Sequence, residues 1–247
     1  MSPYALVAYG GNAEDVVLMR AFADHRDGFF VDVGAGDPVS GSLTKNLVDA
    51  LGWRGVNIEP LPERHERLAA ARPNDVNLRI AAGEVPGSAA FFRIVPGPGK
   101  IGGGGLSTLD AAVRDVHLCD GWRHEELRVD VLTLDSILER HAFPGFDLLK
   151  VDVEGAEAAV LRSARLRSWR PRAIVVEATV PLTSRPSHHA WEPDLLTAGY
   201  DLALFDGLNR FYARTDEPAL RERLAVPANV LDDYIPYRCA LRAGLLR

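Results

Sequence analysis

Cysteine is nearly absent from this chain. Its 247 residues include two, Cys119 and Cys239, far apart in sequence. That spacing excludes a disulfide framework and a cysteine-based zinc centre, and it fits reduced thiols in a cytoplasmic protein. No apolar run reaches the roughly 18 residues of a membrane span, and the N-terminus lacks the basic start and apolar stretch of a signal peptide. Positive charge is in deficit: 28 Lys and Arg face 34 Asp and Glu, a net charge of −6, so no nucleic-acid partner is expected. Apolar residues make up 47% and charged residues 25%, the balance of an ordinary globular domain. A chain this long needs no covalent staples. The expectation is one soluble domain over residues 1–247, with self-association into a homo-oligomer left open.

Two nucleotide motifs are also missing. There is no P-loop Gly-Lys-Ser/Thr. The dinucleotide pattern G-x-G-x-x-G begins with Gly34 and Gly36, but its third position is Val39, preceded by Pro38. What is present is Phe29-Phe30-Val31-Asp32-Val33, four apolar residues around one carboxylate, running straight into a glycine bend. That pattern reads as a buried parallel strand ending in a ligand loop. A second apolar run, Val56-Asn57-Ile58, ends in Glu59, 23 residues after Gly36. A glycine loop after one strand and an acid at the tip of the next is how a doubly wound sheet holds an adenosine ribose. Asp32 is not needed for a pyrophosphate. It suits a cofactor with a cationic end, such as the amino group and sulfonium of S-adenosylmethionine (SAM).

The rest of the chain alternates strands and helices. A helical segment is expected over about 10–26, with Asn12 capping a helix from residue 13. Leu43, Leu47 and Leu51 predict a helix stopped by Gly52. Strand Gly55–Ile58 and helix Glu63–Arg72 follow, then a third strand Leu78–Ala81 and an extra one over Ala89–Val95. Residues 96–105 form a glycine-rich segment, read either as a disordered insertion or as a lid that orders over substrate. Strand Val129–Leu132 leads to a helix capped by Thr133. Central strands over Phe146–Val153 and Ala173–Glu177 flank a helix at Ala156–Ala164. Ser187 is expected to cap a helix through Leu196. Leu202–Phe205 and Arg210–Ala213 make a C-terminal antiparallel hairpin. Together these predict an α/β fold, a doubly wound, mostly parallel seven-stranded Rossmann-like sheet of the class I methyltransferase type.

Several segments jointly resemble the FkbM family of methyltransferases. These are Phe30-Val31-Asp32-Val33-Gly34-Ala35, Val56-Asn57-Ile58-Glu59-Pro60 and Leu149-Lys150-Val151-Asp152-Val153-Glu154-Gly155-Ala156-Glu157. Gly105–Asp110, Thr133-Leu134-Asp135 and Asp206–Tyr212 resemble it too. The resemblance spans about residues 9 to 235. Tyr9-Gly10-Gly11-Asn12-Ala13-Glu14-Asp15 departs from the family's Tyr-Ala-Gln-Asn-Phe-Glu-Asp, and 97–105, with six glycines, is richer in glycine than usual. Membership would imply SAM-dependent O-methylation of a hydroxyl on a sugar, lipopolysaccharide precursor, polyketide or other secondary metabolite.

In this reading Asp32, Gly34 and Gly36 carry the cofactor loop, and Asp37 contacts the amino group directly or through water. Glu59 accepts both ribose hydroxyls. Ala81 and Ala82 leave room for the flat adenine. Asp152, Glu154 and Glu177 close apolar strands at one rim. Three carboxylates there need a cation, a proton or a basic partner. Lys150 as a structural partner, Mg²⁺ bound through oxygen ligands, and orientation of the acceptor hydroxyl all stay open. His188, at the start of the next helix, is a candidate base for the hydroxyl proton. Asp152, Glu177 and His188 are thus the catalytic candidates, and the acceptor is a small-molecule or glycan hydroxyl. The rival readings are a non-catalytic SAM- or nucleotide-binding module and an N-methyltransferase, with a dehydrogenase further behind.

Overall fold

The computed structural model describes residues 5–246. The chain opens with β1 (Leu6–Ala8) and α1 (Glu14–Ala21). It then alternates through β2 (Phe29–Val33), α2 (Lys45–Leu51), β3 (Arg54–Ile58), α3 (Pro62–Ala71) and β4 (Val76–Leu78). An inserted unit follows, made of β5 (Ala81–Ala82), β6 (Gly87–Val95), α4 (Ala111–Cys119) and β7 (Arg123–Leu132). The alternation resumes with α5 (Leu134–His141), β8 (Leu148–Val151), α6 (Glu157–Arg162), α7 (Leu166–Trp169), β9 (Ala173–Glu177) and α8 (Glu192–Thr197). Strands β10 (Tyr200–Phe205) and β11 (Asn209–Arg214), helix α9 (Pro218–Leu224), strand β12 (Tyr234–Pro236) and helix α10 (Tyr237–Arg242) complete it.

The main sheet has the order β10-β11-β9-β8-β2-β3-β4, and β11 runs against its neighbours. Strands β2, β8 and β9 are buried on both faces, which explains their near-continuous apolar sequences. One face carries Ile137, Leu138, Val160 and Leu161 from α5 and α6. The other carries Val17, Leu18 and Ala21 of α1, Leu47 and Leu51 of α2, and Leu220 and Leu224 of α9. The chain leaves β2 toward β3 on one side and later returns to β8 on the other. That reversal opens a crevice at the carboxyl ends of β2 and β8, where open α/β sheets bind their ligands. Among the described residues no helix is long and apolar enough to cross a membrane.

Three local expectations are corrected. The third strand is two elements: β4 stays in the main sheet, while Ala81 and Ala82 leave it to pair with Val131 and Leu132 of β7. The long β6–β7 ribbon supplies that competing partner. Asn12 does not cap α1. The helix starts after Ala13 in the left-handed region (φ 60°), and the Asn12 side chain donates to the Asp206 carbonyl at 3.1 Å. The helix expected from Ser187 to Leu196 is a 3₁₀ turn over His188–Ala190 followed by α8. Pro193 has no N–H for the preceding turn, so it sits instead in the first turn of a new helix. Thr133 does cap α5, its Oγ1 accepting the Ser136 N–H at 3.2 Å.

Candidate active site

The crevice is a cleft of about 230 Å³. Its floor is the glycine loop after β2. Gly34 has φ 77°, and a Cβ there would lie 1.8 Å from the Asp152 carbonyl oxygen, so only glycine lets the loops after β2 and β8 pass this closely. The Gly34 and Ala35 N–H groups both donate to the Ile58 carbonyl at 3.0 Å, which draws the loop against the end of β3. Gly36, Asp37, Glu59, Ala81 and Ala82 also line the cleft, so the structure brings most of the expected cofactor residues together.

Glu59 is almost sealed from water. Its Oε2 accepts the Gly36 N–H at 2.9 Å and its Oε1 accepts the Leu61 N–H at 2.8 Å. Each oxygen, with one N–H donor, keeps capacity for a second, and Glu59 lines the cleft. Burial raises its pKa against the opposing pull of those two N–H donors, Arg64 and Lys150. The Asp37 Oδ1 accepts the Val39 and Ser40 N–H groups at 2.9 Å each, and its Oδ2 pairs with Arg67, so this carboxylate shapes the loop while lining the cleft.

Asp32 is placed differently from the expectation. It is 1% exposed, lies beneath the cleft rather than on its wall, and faces a cation of the protein itself. Its Oδ1 lies 3.1 Å from Lys150 Nζ in an ionic contact without hydrogen-bond alignment, and its Oδ2 accepts from Thr44 Oγ1 at 3.4 Å. Lys150 Nζ also donates to the Gly34 carbonyl at 2.5 Å and lies 3.5 Å from Asp152 Oδ2. Burial alone would lower the lysine's pKa; Asp32 and Asp152 outweigh it and raise it.

At the rim, Asp152, Glu154 and Glu177 each offer an oxygen within 4.8 Å of the others. Glu154 sits in the left-handed region (φ 56°), and its carbonyl accepts from the buried Thr108 Oγ1 at 2.8 Å. Glu157 accepts the Val153 and Gly155 N–H groups at 3.1 and 3.0 Å, and burial pushes its carboxyl up to about 7. Burial, then the neighbouring Asp152, Glu154 and Glu157, drives the Glu177 carboxyl far above the usual range. Its Oε2 is buried without a hydrogen-bond partner among the described residues.

His188 does not join this group. It is buried and absent from the cleft wall; its ring packs on His189 at 4.0 Å, and its Nε2 faces Glu192 at 3.7 Å. Burial and Arg210 lower its pKa. His188 lies on the 3₁₀ turn that stands where the helix start was expected. Residues that sequence reasoning did not assign complete the wall: Arg64 from α3, Phe91 from β6, and Ser107 and Leu109 from the segment after the glycines. The Gly105–Asp110 resemblance was the available signal for the last two.

Residues 32–202, which run from the Asp32 strand to the start of the closing hairpin, match the model of the Methyltransferase FkbM domain, well over half of the chain. The chain belongs to the FkbM methyltransferase family. This FkbM protein is therefore a SAM-dependent methyltransferase acting on a small-molecule acceptor. A crystal structure of a TehB-like SAM-dependent methyltransferase from Corynebacterium glutamicum is similar at 11% identity and a TM-score of 0.43, over 81% of this chain and 87% of that one. No curated protein matches the FkbM chain.

Proposed function

We propose that this chain O-methylates a hydroxyl of a sugar, polyketide or other secondary metabolite in a cytoplasmic setting, with Asp152 and Glu177 as the catalytic carboxylates. The residues fit the cofactor. Glu59 keeps free lone pairs for the ribose hydroxyls. Ala81, Ala82, Leu61 and Phe91 make an apolar slot of a kind that suits adenine. The acids at the end of β8 complement a cationic donor. When bound, SAM supplies a methyl group on a positively charged sulfur, open to in-line attack by an acceptor oxygen.

The observation that carries the reading is the rim of three carboxylates, with a buried Glu177 Oε2 that has no hydrogen-bond partner among the described residues. O-methylation releases the hydroxyl proton. Once ionised, a carboxylate whose proton affinity is raised by burial and like charges is a stronger base than an ordinary one, and it accepts that proton at this oxygen. Asp152, tied to Lys150, orients the acceptor. Much of the rate then comes from alignment. The same donor set favours a second reading. Three carboxylate oxygens within 4.8 Å match the all-oxygen coordination of Mg²⁺. An ion there would lower the pKa of an acceptor hydroxyl.

The test uses methyl-labelled SAM with a panel of hydroxyl-bearing sugars and macrolides and their matched amines. Transfer to hydroxyls that is lost in Glu177→Gln is expected. Transfer to amines alone, or full turnover by Glu177→Gln, rejects the proposal. Loss of turnover with EDTA and its return with MgCl₂ selects the metal reading.

A further inference from the structure

We propose that Asp15, which does not line the cleft, is a positioning residue for the cofactor loop, latching that loop to the N-terminal turn 9–15. This rests on the cleft being the SAM site. Asp15 is fully buried, and its carboxylate gathers three donors from two parts of the chain. Oδ2 accepts the Tyr9 N–H at 2.7 Å and the Asn46 Nδ2 at 2.7 Å, and Oδ1 accepts the Gly10 N–H at 3.1 Å. Asn46 lies in the first turn of α2, directly after the loop, and also donates to the Val7 carbonyl at 2.8 Å. The turn held by Asp15 reaches the loop a second time: the Tyr9 carbonyl accepts the Gly41 N–H at 2.9 Å, and Gly41 and Ser40 line the cleft.

The turn is built for close approach. A Cβ on Gly10 would lie 2.4 Å from Glu14 Oε2 and 3.0 Å from Asp15 Oδ1. Glu14, the adjacent buried acid, takes different partners. Its Oε2 accepts the Asn12 N–H at 2.9 Å and its Oε1 accepts Asn209 Nδ2 at 2.8 Å, on the strand beside Glu177. Both carboxylates accept from the 9–15 turn, but Asp15 joins it to α2 and Glu14 joins it to β11, so the pair supplies its own internal control. Of the two, only Asp15 is bonded to the helix that follows the glycine loop. A carboxylate is required there because all three of its hydrogen-bond partners are donors; an amide of the same shape would set an N–H against an N–H.

The test is calorimetry with S-adenosylhomocysteine on the full chain. Asp15→Asn is expected to raise Kd by about tenfold or more, while Glu14→Gln leaves it within about twofold despite a comparable fall in thermal midpoint. Amide exchange at Gly41 should quicken in Asp15→Asn and not in Glu14→Gln. An unchanged Kd in Asp15→Asn, or equal weakening in both variants, overturns the latch. Should Asp15→Asn fail to fold, Asn46→Ala decides: weaker binding upholds the latch and unchanged binding overturns it. Absence of binding by the wild-type protein removes the SAM site itself, and the latch with it.

Discussion

Asp32 and Lys150 are register partners on adjacent parallel strands, and their side chains meet at 3.1 Å with 1% and 4% of each residue exposed. The lysine also holds the Gly34 carbonyl, so one buried cation ties together the two strands whose ends form the cleft.

Removing that cation strands two carboxylates. Lys150→Met is expected to destabilise the fold by about 3–5 kcal/mol, the usual cost of breaking a buried pair. The double variant Asp32→Asn/Lys150→Met should recover part of the loss. Urea unfolding measures both, and a single variant within about 1 kcal/mol of wild type would show that Lys150 is not the organising charge.

Glu59→Ala is expected to weaken S-adenosylhomocysteine binding by ten- to a hundredfold, from hydrogen bonds to a charged acceptor of about 1.5–3 kcal/mol. Far-UV circular dichroism should stay unchanged. Wild-type affinity in a folded variant would rule out the ribose role.

Stability should fall as pH rises through neutrality. Burial pushes Glu14 and Glu157 up to about 7 and Asp15 up to about 6, from ordinary values of 4.5 and 3.8. The folded state thus binds protons that the unfolded chain has released. This contribution is complete below the ordinary carboxylate range and is lost as pH passes 6 to 7. The thermal midpoint should be higher at about pH 5 than at about pH 8. Glu157→Gln should flatten the slope; an identical slope would remove Glu157 from the account.

The glycine segment 97–105 is expected to act as a lid. Gly105 lines the cleft, whereas Ile101 is 93% exposed. Amide exchange over these residues should be fast in the free protein and slow with S-adenosylhomocysteine or acceptor bound. Equal exchange in the free and bound states would leave the segment as a surface insertion.

Much of this molecule is legible in local sequence. Strands such as β2 and β9 declare themselves because a strand buried on both faces must be apolar along its length. The glycines after β2 and the acid after β3 are legible because a ligand loop needs backbone room at one end and a polar anchor at the next. Those features placed Gly34, Gly36, Asp37 and Glu59 at the cleft wall.

Charge pairing was not legible in the same way. Asp32 looked like a cofactor contact until the β2–β8 register set Lys150 against it. Glu177 gained its neighbours only because β8 and β9 lie side by side, and His188 sits on a 3₁₀ turn against His189 and Glu192, off the cleft wall. Ala81 and Ala82 changed sheets because a distant ribbon offered them hydrogen bonds. Periodicity records which side chains are buried and how the backbone bends, both short-range properties. Which charge meets which depends on strand order and register, and only the assembled sheet decides that.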